Sequence, residues 1–239
     1  MKSQSLMIVV GLALIGCGKS GSNSTAKVPE VPQVKVTPQN QLSLFPLEVG
    51  NTWTYVMEVV AESATAPKQS LTAEIQYKII KVTKDSADSA HATLAVMQDG
   101  KQQDEQEWGY DSKGLYQLSM KAAKTPYTPK QPVIKFPTKD QETFKWEGTG
   151  LTPIGKPGTM RYAYKNDGMQ TVDTEMGQMN ALFMQTGGSF KATGGIQGQI
   201  IVNSWFSPGV GLVRYRQVVY VKGANSSITL RLKSYTVKK

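Results

Sequence analysis

The sequence predicts an all-β domain, an antiparallel meander that forms a strongly curved sheet, either an open half-barrel or a barrel-like structure, with little helix beyond residue 16. Apolar and polar residues alternate with the period of a strand through most of the chain after residue 42. Turn residues interrupt this alternation at regular intervals. No apolar pattern of helical period is long enough for an ordinary helix after residue 16.

The strands follow from the alternation, taken in order. The predicted strands cover residues 51–60, 71–79, 90–97, 105–110, 115–120, 143–147, 159–164, 179–185, 189–205, 212–221 and 227–237. In the first of them Trp53, Tyr55 and Met57 share one face, because side chains alternate across a strand. Asp99-Gly100, which follows the third strand, is a strong hairpin signal.

Proline and glycine mark the predicted breaks. Residues 45–50 are expected to form one tight turn, and residues 121–139 a loop with one short extended piece at 133–136. Residues 148–158 are expected to form a second loop, rich in glycine and proline. The Gly194-Gly195 pair inside the 189–205 strand predicts a bulge or a bend of the curved sheet.

The N-terminus carries the most specific motif of the chain. Lys2 is followed by an apolar run at 6–15, too short to span a bilayer, and then by Gly16 and the single cysteine, Cys17. The order Leu-Ile-Gly-Cys resembles a bacterial lipobox, which implies cleavage between Gly16 and Cys17 and a lipid on the Cys17 sulfur. An uncleaved anchor and an ordinary signal peptide are the alternatives, and a small residue before a lone cysteine argues against both.

The predicted organisation is a signal peptide at 1–16, a tether at 17–41 and one β domain at 42–239. The tether is Gly/Ser-rich and then Pro-rich, so it cannot bury a core. It would span about 30 Å as a coil and about 80 Å fully extended. This organisation predicts a protein that is lipid-anchored in the bacterial cell envelope. Gly18 after the cysteine favours the outer membrane, with the domain facing the periplasm or the cell surface.

Composition excludes several kinds of site. The chain has 1 Cys and 1 His, so an intrachain disulfide and a zinc site built from Cys and His are excluded. We expect no metal and no cofactor. The formal net charge is +9, which suits anionic surroundings, but the basic residues are scattered and no nucleic-acid motif is present. No nucleic-acid partner is therefore expected.

Few residues could support catalysis. A serine triad could use only His91, which the alternation places on the solvent side of a strand. Asp104, Glu105 and Glu107 form an acidic cluster that is expected on an edge strand, solvated rather than catalytic. A second carboxylate pair is expected on one face of a strand, without a third ligand for calcium; its residues are Asp173 and Glu175. The protein is therefore predicted not to be an enzyme.

Aromatic residues recur along the predicted strands. They are Trp53, Tyr55, Trp108, Tyr110, Trp146, Tyr162, Tyr164, Trp205 and Phe206. One interpretation is the filled core of a sheet. The other is an apolar concave face that holds an acyl chain or a hydrophobic peptide, because ligand pockets are largely apolar and aromatic.

Two motifs near the ends of the domain resemble a family of bacterial secreted proteins and lipoproteins. They are FPL-x-x-G-N-x-W-x-Y at 45–55 and WFSPGVGLV at 205–213. Their marked residues are Phe45, Pro46, Gly50, Trp53, Tyr55, Trp205, Pro208, Gly209 and Gly211. The resemblance implies an all-β fold similar to the open, curved half-barrels of lipoprotein carriers, and it brings no catalytic residue. Gly209 and Gly211 are expected to supply turn geometry, and Trp205 and Leu212 to pin that turn to the core.

Three functions remain open. The first is an anchored, non-enzymatic envelope protein that binds a hydrophobic ligand, such as a lipid, an acyl chain or a peptide, on its curved sheet. The second is a structural or interaction protein that docks on anionic envelope polymers or on a partner protein. The least favoured is a hydrolase that uses carboxylates.

Overall fold

The structure is a computed structural model, and it describes residues 36–37, 40–86, 88–120 and 125–238. A short 3-10 helix, η1 (Gln41–Leu44), precedes twelve strands. The strands are β1 (Thr52–Ser63), β2 (Ala66–Ser86), β3 (Ser89–Gln98), β4 (Lys101–Asp111), β5 (Gly114–Met120), β6 (Thr125–Lys135), β7 (Thr143–Leu151), β8 (Pro157–Thr174), β9 (Gly177–Ala192), β10 (Gln197–Ser207), β11 (Gly211–Val221) and β12 (Ala224–Thr236). The predicted signal peptide, with Gly16 and Cys17, lies outside the described residues.

Each strand pairs antiparallel with the next one in the chain, and the sheet closes into a barrel. Closure comes from β1, which pairs with β2 on one side and with β12 on the other. The predicted all-β meander is therefore confirmed, and of the two forms left open the barrel is the one that is found. The closing pair joins the two ends of the domain.

Hairpin turns lie at both ends of the barrel. We call the end that holds η1 and the β10–β11 turn the plug end. We call the other end the mouth; it holds the β1–β2, β3–β4, β5–β6, β7–β8, β9–β10 and β11–β12 turns. Since β1 begins at the plug end, the chain preceding the barrel enters there.

Alternation sets which face of each strand lies inside the barrel. In β1 the predicted face of Trp53, Tyr55 and Met57 is the buried one. In β2 Ile75 and Ile79 are buried in the same way, each directly after an exposed charged residue, Glu74 or Lys78. The largest core cluster combines such residues with Leu44, Phe45 and Leu47 near η1. A smaller cluster lies between β6 and β11 and is built around Trp146, Tyr162 and Phe190.

Two predicted loops are strands. The 121–139 segment contains β6, and the 148–158 segment contains the end of β7 and the start of β8. The prolines that suggested a loop leave β6 poorly paired instead, because a proline has no amide hydrogen to donate. The described register between β6 and β7 has one partner pair, Thr128 with Thr149.

The 189–205 region is a hairpin rather than one interrupted strand. Gly194 and Gly195 lie in the turn between β9 and β10, with φ of +84° and +78°. The predicted bulge at these glycines is therefore wrong. Local sequence could not separate a tight turn from a bulge, since both use left-handed glycine.

Within the described residues, no helix has the length and the apolar character needed to cross a membrane.

Candidate functional site

The two terminal motifs meet at the plug end of the barrel. The Trp53 indole Nε1 donates a hydrogen bond to the Val210 carbonyl at 2.5 Å, across 157 residues of chain. The Tyr55 hydroxyl donates to the Leu212 carbonyl at 2.8 Å. Both donors are fully buried, so each bond satisfies a polar group that would otherwise be costly inside the core. The first strand and the β10–β11 turn are thereby joined side chain to backbone.

Phe45 fills the centre of this contact. Its ring stacks on Trp53 at a centroid distance of 5.3 Å and lies 4.8 Å from the ring of Trp108. The edge of Phe206 meets it at 6.3 Å. The backbone amide of Gly209 donates to the Ser43 carbonyl at 2.9 Å, which ties the turn to η1. We call this assembly of η1 and the two motifs the plug.

Asn51 holds the entrance to β1, a role that the sequence pattern does not predict. Its side-chain Nδ2 donates to the Pro46 carbonyl at 3.0 Å, and its Oδ1 accepts from the backbone amide of Lys238 at 2.9 Å. Next to it, the Gly50 amide donates to the Ile79 carbonyl at 2.9 Å. The 45–51 segment is thus tied to both ends of the domain. An asparagine beside a turn glycine is the only signal for it in the sequence.

The second motif is partly as predicted. Gly209 and Gly211 have φ of +75° and +111°, and Leu212 is buried. Trp205 is half-buried and packs against the border of the core, not inside it. It faces outwards and stacks on Phe183 at a centroid distance of 4.6 Å, while the next residue, Phe206, is the one that enters the core. A register shift between Trp205 and Phe206 marks this point of the β10–β11 ladder.

The predicted carboxylate pair on β8 is not a pair. Asp173 is exposed on β8, whereas Glu175 lies in the β8–β9 turn. The Glu175 amide donates to the Leu232 carbonyl at 2.9 Å, and its Oε1 meets the Arg231 Nε at 2.6 Å. The Glu175 carboxylate raises the pKa of Arg231. This turn therefore braces β12 and does not form a catalytic cleft.

The acidic cluster is also divided. β4 lies between β3 and β5, so it is not an edge strand as predicted. Asp104 pairs with Val96, whose face is the inner one, while Glu107 points outwards and accepts a hydrogen bond from the Ser119 hydroxyl at 2.8 Å. Glu105 is also on the outer side, on the opposite face to Asp104. Alternation therefore separates these carboxylates across the barrel wall.

Other catalytic or metal-binding groups are not assembled in the described part of the chain. His91 is exposed, as the alternation predicts, and its Nε2 lies 3.3 Å from an oxygen of Asp85. No group of three His, Cys, Asp or Glu residues that could hold a metal ion occurs among the described residues.

Tyrosines from several strands point into the barrel. They are Tyr77 on β2, Tyr127 on β6, Tyr162 and Tyr164 on β8, and Tyr215 on β11. Burial raises the pKa of Tyr77 and of Tyr127 to about 12. Burial also raises the pKa of Tyr215, and the neighbouring Tyr77, Tyr127 and Tyr164 raise it further. At neutral pH they are uncharged hydrogen-bond donors.

Glutamines satisfy part of this interior. The Tyr215 hydroxyl donates to Gln217 Oε1 at 2.7 Å, and Gln131 Nε2 donates to the Tyr164 hydroxyl at 3.3 Å. Gln106 hydrogen-bonds Tyr77 and accepts from the Trp108 indole at 3.0 Å. These interior tyrosines and glutamines are therefore neutral groups that hydrogen-bond one another.

Along β1 to β3 and β10 to β12, part of the inner face is only half-buried. We call these residues the inner wall: Val59, Ala61, Ala73, Tyr77, Val96, Val202, Tyr215, Gln217 and Ile228. They share a face with fully buried residues such as Tyr55 and Leu230. Side chains therefore fill the barrel less completely along these strands than at the plug or between β6 and β11, where the smaller core cluster is buried. The inner wall is apolar and aromatic with a few neutral amides, which is typical of a ligand pocket.

A shallow concavity of about 610 Å³ crosses β7 to β10 on the outer surface. Its floor is low because Gly187 and Ala163 carry little or no side chain. Its border includes the exposed Ile201 and the ion pair between Arg161 Nε and Glu147 Oε1 at 2.9 Å. No convergent, buried polar group faces it, in contrast to the inner wall.

Comparison with known proteins gives structural neighbours only. No family model matches the chain, and no curated protein matches it. A provisionally assigned lipoprotein from Parabacteroides distasonis is 14% identical, with a TM-score of 0.48 over 81% of this chain and 98% of that one. A provisionally assigned exported protein with a YmcC-like fold from Bacteroides fragilis is 11% identical, with a TM-score of 0.43 over 80% and 98%. The hypothetical lipoprotein YmcC from Escherichia coli is 9% identical, with a TM-score of 0.33 over 81% and 95%. These similarities are too low to assign a function, and the family resemblance of the two motifs stays a prediction.

Proposed function

We propose that this chain is a lipid-anchored envelope protein, without enzymatic activity, whose barrel receives an apolar ligand through its mouth. The half-buried inner wall is the observation that carries the proposal. A polypeptide without a ligand usually buries such residues, because each buried aliphatic side chain is worth about 1.5–3 kcal/mol. Val59, Val202 and Ile228 leave part of that stabilisation unused at the mouth, and an acyl chain could recover it.

The plug determines at which end of the barrel a ligand would enter. It closes the opposite end with Phe45, Trp53 and Phe206, so a ligand would enter and leave at the mouth. Neutral tyrosine and glutamine groups on the inner wall offer hydrogen bonds without the desolvation cost of a buried charge. The separated carboxylates, Asp104 inside and Glu107 outside, argue against the hydrolase alternative.

Filling the inner wall tests ligand binding. The full chain carrying Cys17→Ser is purified from cells and examined by native mass spectrometry before and after solvent extraction. We expect a co-purifying lipid or other apolar molecule, and we expect Ala73→Trp to remove it because Ala73 faces the interior. Thr72→Trp, on the exposed face of the same strand, is the matched control and should retain the ligand. Ser226→Leu is a smaller filling variant in case Ala73→Trp does not fold.

The absence of any bound molecule from the unsubstituted barrel would contradict the proposal. So would equal occupancy in Ala73→Trp and Thr72→Trp, if circular dichroism shows both to be folded. The second outcome would place the ligand outside the barrel.

Membrane attachment is tested at Cys17. Replacing Cys17 by serine is expected to move the protein from the membrane fraction to the soluble fraction. The physical reason is that an acyl chain contributes about 0.8 kcal/mol of membrane-binding free energy per buried CH₂, and stable anchoring takes two such chains. Ser20→Ala, three residues later, is the control and should stay with the membranes. If Cys17→Ser still sediments with membranes, the lipid anchor is wrong. Density-gradient separation of the unsubstituted protein tests the outer-membrane assignment.

The second candidate function is docking on anionic envelope polymers or on a partner. The net charge of +9 favours it, because a basic surface attracts polyanions over the range that salt leaves unscreened. It does not explain the inner wall, and for this reason we place it second.

A further inference from the structure

Lysines surround the mouth of the barrel. Each described hairpin turn at that end has an exposed lysine within three residues, and we call these the mouth lysines: Lys68, Lys101, Lys156, Lys191 and Lys222. They come from five different hairpins, so the topology distributes them around the opening.

Carboxylates are few at this end. Glu62 lies 3.1 Å from the Nζ of Lys68, and Asp99 lies in the β3–β4 turn. Among the ion pairs described for the chain, none joins the other four mouth lysines to an acid. The plug end is mixed in charge, because exposed lysines such as Lys84, Lys113 and Lys139 lie beside acidic residues in most of its turns. The acidic residues are Glu48, Asp85, Asp88, Asp111, Asp140, Glu142 and Glu175. The mouth is therefore the more basic end of the barrel, since acids offset the lysines at the plug end.

Building on the function proposed above, we infer that the ligand is an amphiphile with an acyl chain and an anionic head, a carboxylate or a phosphate. The acyl chain lies against the inner wall, and the head stays at the mouth lysines. Two features keep the head at the rim. Burying a charge inside the barrel would cost several kcal/mol without a partner, and Asp104 on the inner face would repel an anion.

The experiment compares two probes that share one chain. Binding of oleate and of its neutral analogue, oleyl alcohol, is measured on the full chain carrying Cys17→Ser, in the form freed of co-purified lipid. The mouth variant combines Lys101→Gln, Lys156→Gln, Lys191→Gln and Lys222→Gln. The matched control removes the same charge from exposed lysines on the plug side, by Lys81→Gln, Lys84→Gln, Lys113→Gln and Lys139→Gln.

We expect the mouth variant to bind oleate roughly tenfold more weakly, since partly exposed charge pairs each contribute a few tenths of a kcal/mol. Oleyl alcohol should bind the mouth variant as it binds the unsubstituted chain, and the plug-side control should bind both probes normally. High salt should weaken the binding of oleate and leave the binding of oleyl alcohol unchanged. Lysophosphatidic acid, measured in parallel, distinguishes a phosphate head from a carboxylate head.

Equal loss of oleate in the mouth variant and the plug-side control would overturn the inference, because net charge alone would then explain the preference. Unchanged oleate binding in the mouth variant would overturn the inference too. If the unsubstituted chain still binds both oleate and oleyl alcohol in that case, the proposed function stands. Displacement of oleate by inorganic phosphate would show an anion site that does not need the acyl chain, which also contradicts it. If neither oleate nor oleyl alcohol binds, the inference and the proposed function both fail.

Discussion

Gly188→Ala is expected to lower the free energy of unfolding by about 3 kcal/mol or more, as overpacking in a well-packed core does. Gly187→Ala, one residue earlier in β9, is expected to raise it by about 0.5 kcal/mol. The same substitution at two adjacent residues should thus change the free energy of unfolding in opposite directions. The difference comes from which side of the barrel wall each Cβ would enter.

A Cβ on Gly188 would lie 2.1 Å from the Arg161 carbonyl oxygen and 2.6 Å from Cδ1 of Tyr162. The first atom belongs to the backbone of the neighbouring strand, so it cannot move without disturbing the β8–β9 ladder. The Tyr162 ring is buried against Trp146, at a centroid distance of 5.6 Å, so moving it would disturb that contact. A Cβ on Gly187 would point outwards and meet nothing within 4 Å, so alanine there only reduces the entropy of the unfolded chain.

Chemical denaturation of the full chain carrying Cys17→Ser measures both effects. The two midpoint concentrations should differ clearly, because each is the free energy of unfolding in water divided by the slope m, and a packing change leaves m unchanged. Similar stability of the two variants would contradict the close approach of β8 and β9 at Gly188.

Gly211→Ala is the second large expected effect, a loss of about 2–5 kcal/mol from backbone strain and crowding together. Gly211 has φ of +111°, a conformation that residues with a Cβ rarely adopt. Its Cβ would also lie 3.0 Å from Nε1 of Trp53. That ring cannot yield easily, because it is fully buried, stacked on Phe45 and hydrogen-bonded to Val210.

Gly209→Ala is the matched control in the same turn. Gly209 also has positive φ, +75°, but a Cβ there would meet nothing within 4 Å. It should therefore cost only the left-handed backbone term, about 1–2 kcal/mol. The excess loss in Gly211→Ala over Gly209→Ala measures the contact between the turn and Trp53. Equal losses in a urea titration would mean that the plug does not depend on this contact.

These results bear on function because the plug and the mouth have different tasks in the proposal. The plug joins the first strand to the β10–β11 turn and leaves its interior filled. The mouth combines half-buried apolar residues with exposed lysines. Substitutions at the plug should change stability and leave the preference between oleate and oleyl alcohol unchanged. Substitutions of the mouth lysines should change that preference without a large change in stability.

Local pattern predicted most strands and, for many of them, the buried face. Strong alternation in β1 and β2 was sufficient, since a period of two leaves only a choice between two faces. The prediction of the buried face failed where a single residue shifts the alternation. At Trp205 and Phe206 two adjacent aromatic residues compete for the interior, and the wrong one was assigned to it. At β6, proline residues concealed a strand that its partner β5 holds in place.

The candidate site was less accessible to sequence reasoning. The aromatic residues were recognised, but a filled core and a ligand-binding face use the same residue types. The acidic cluster suggested an edge strand because nothing local reveals that β4 has partners on both sides. The mouth lysines are scattered in the sequence, and only the ordering of the hairpins brings them to one end.

The sequence by itself determined the strand class of the fold, the alternating faces and the turn glycines, because these depend on neighbours along the chain. It also carries the Leu-Ile-Gly-Cys motif at 14–17, on which the proposed anchoring rests. Only the tertiary structure decided that the sheet closes, that Trp53 and Tyr55 meet the carbonyls of Val210 and Leu212, and that the inner wall is left half-buried. Those features depend on pairing between β1 and β12, whose partners are separated by most of the domain, and no periodicity within a strand specifies such a pair.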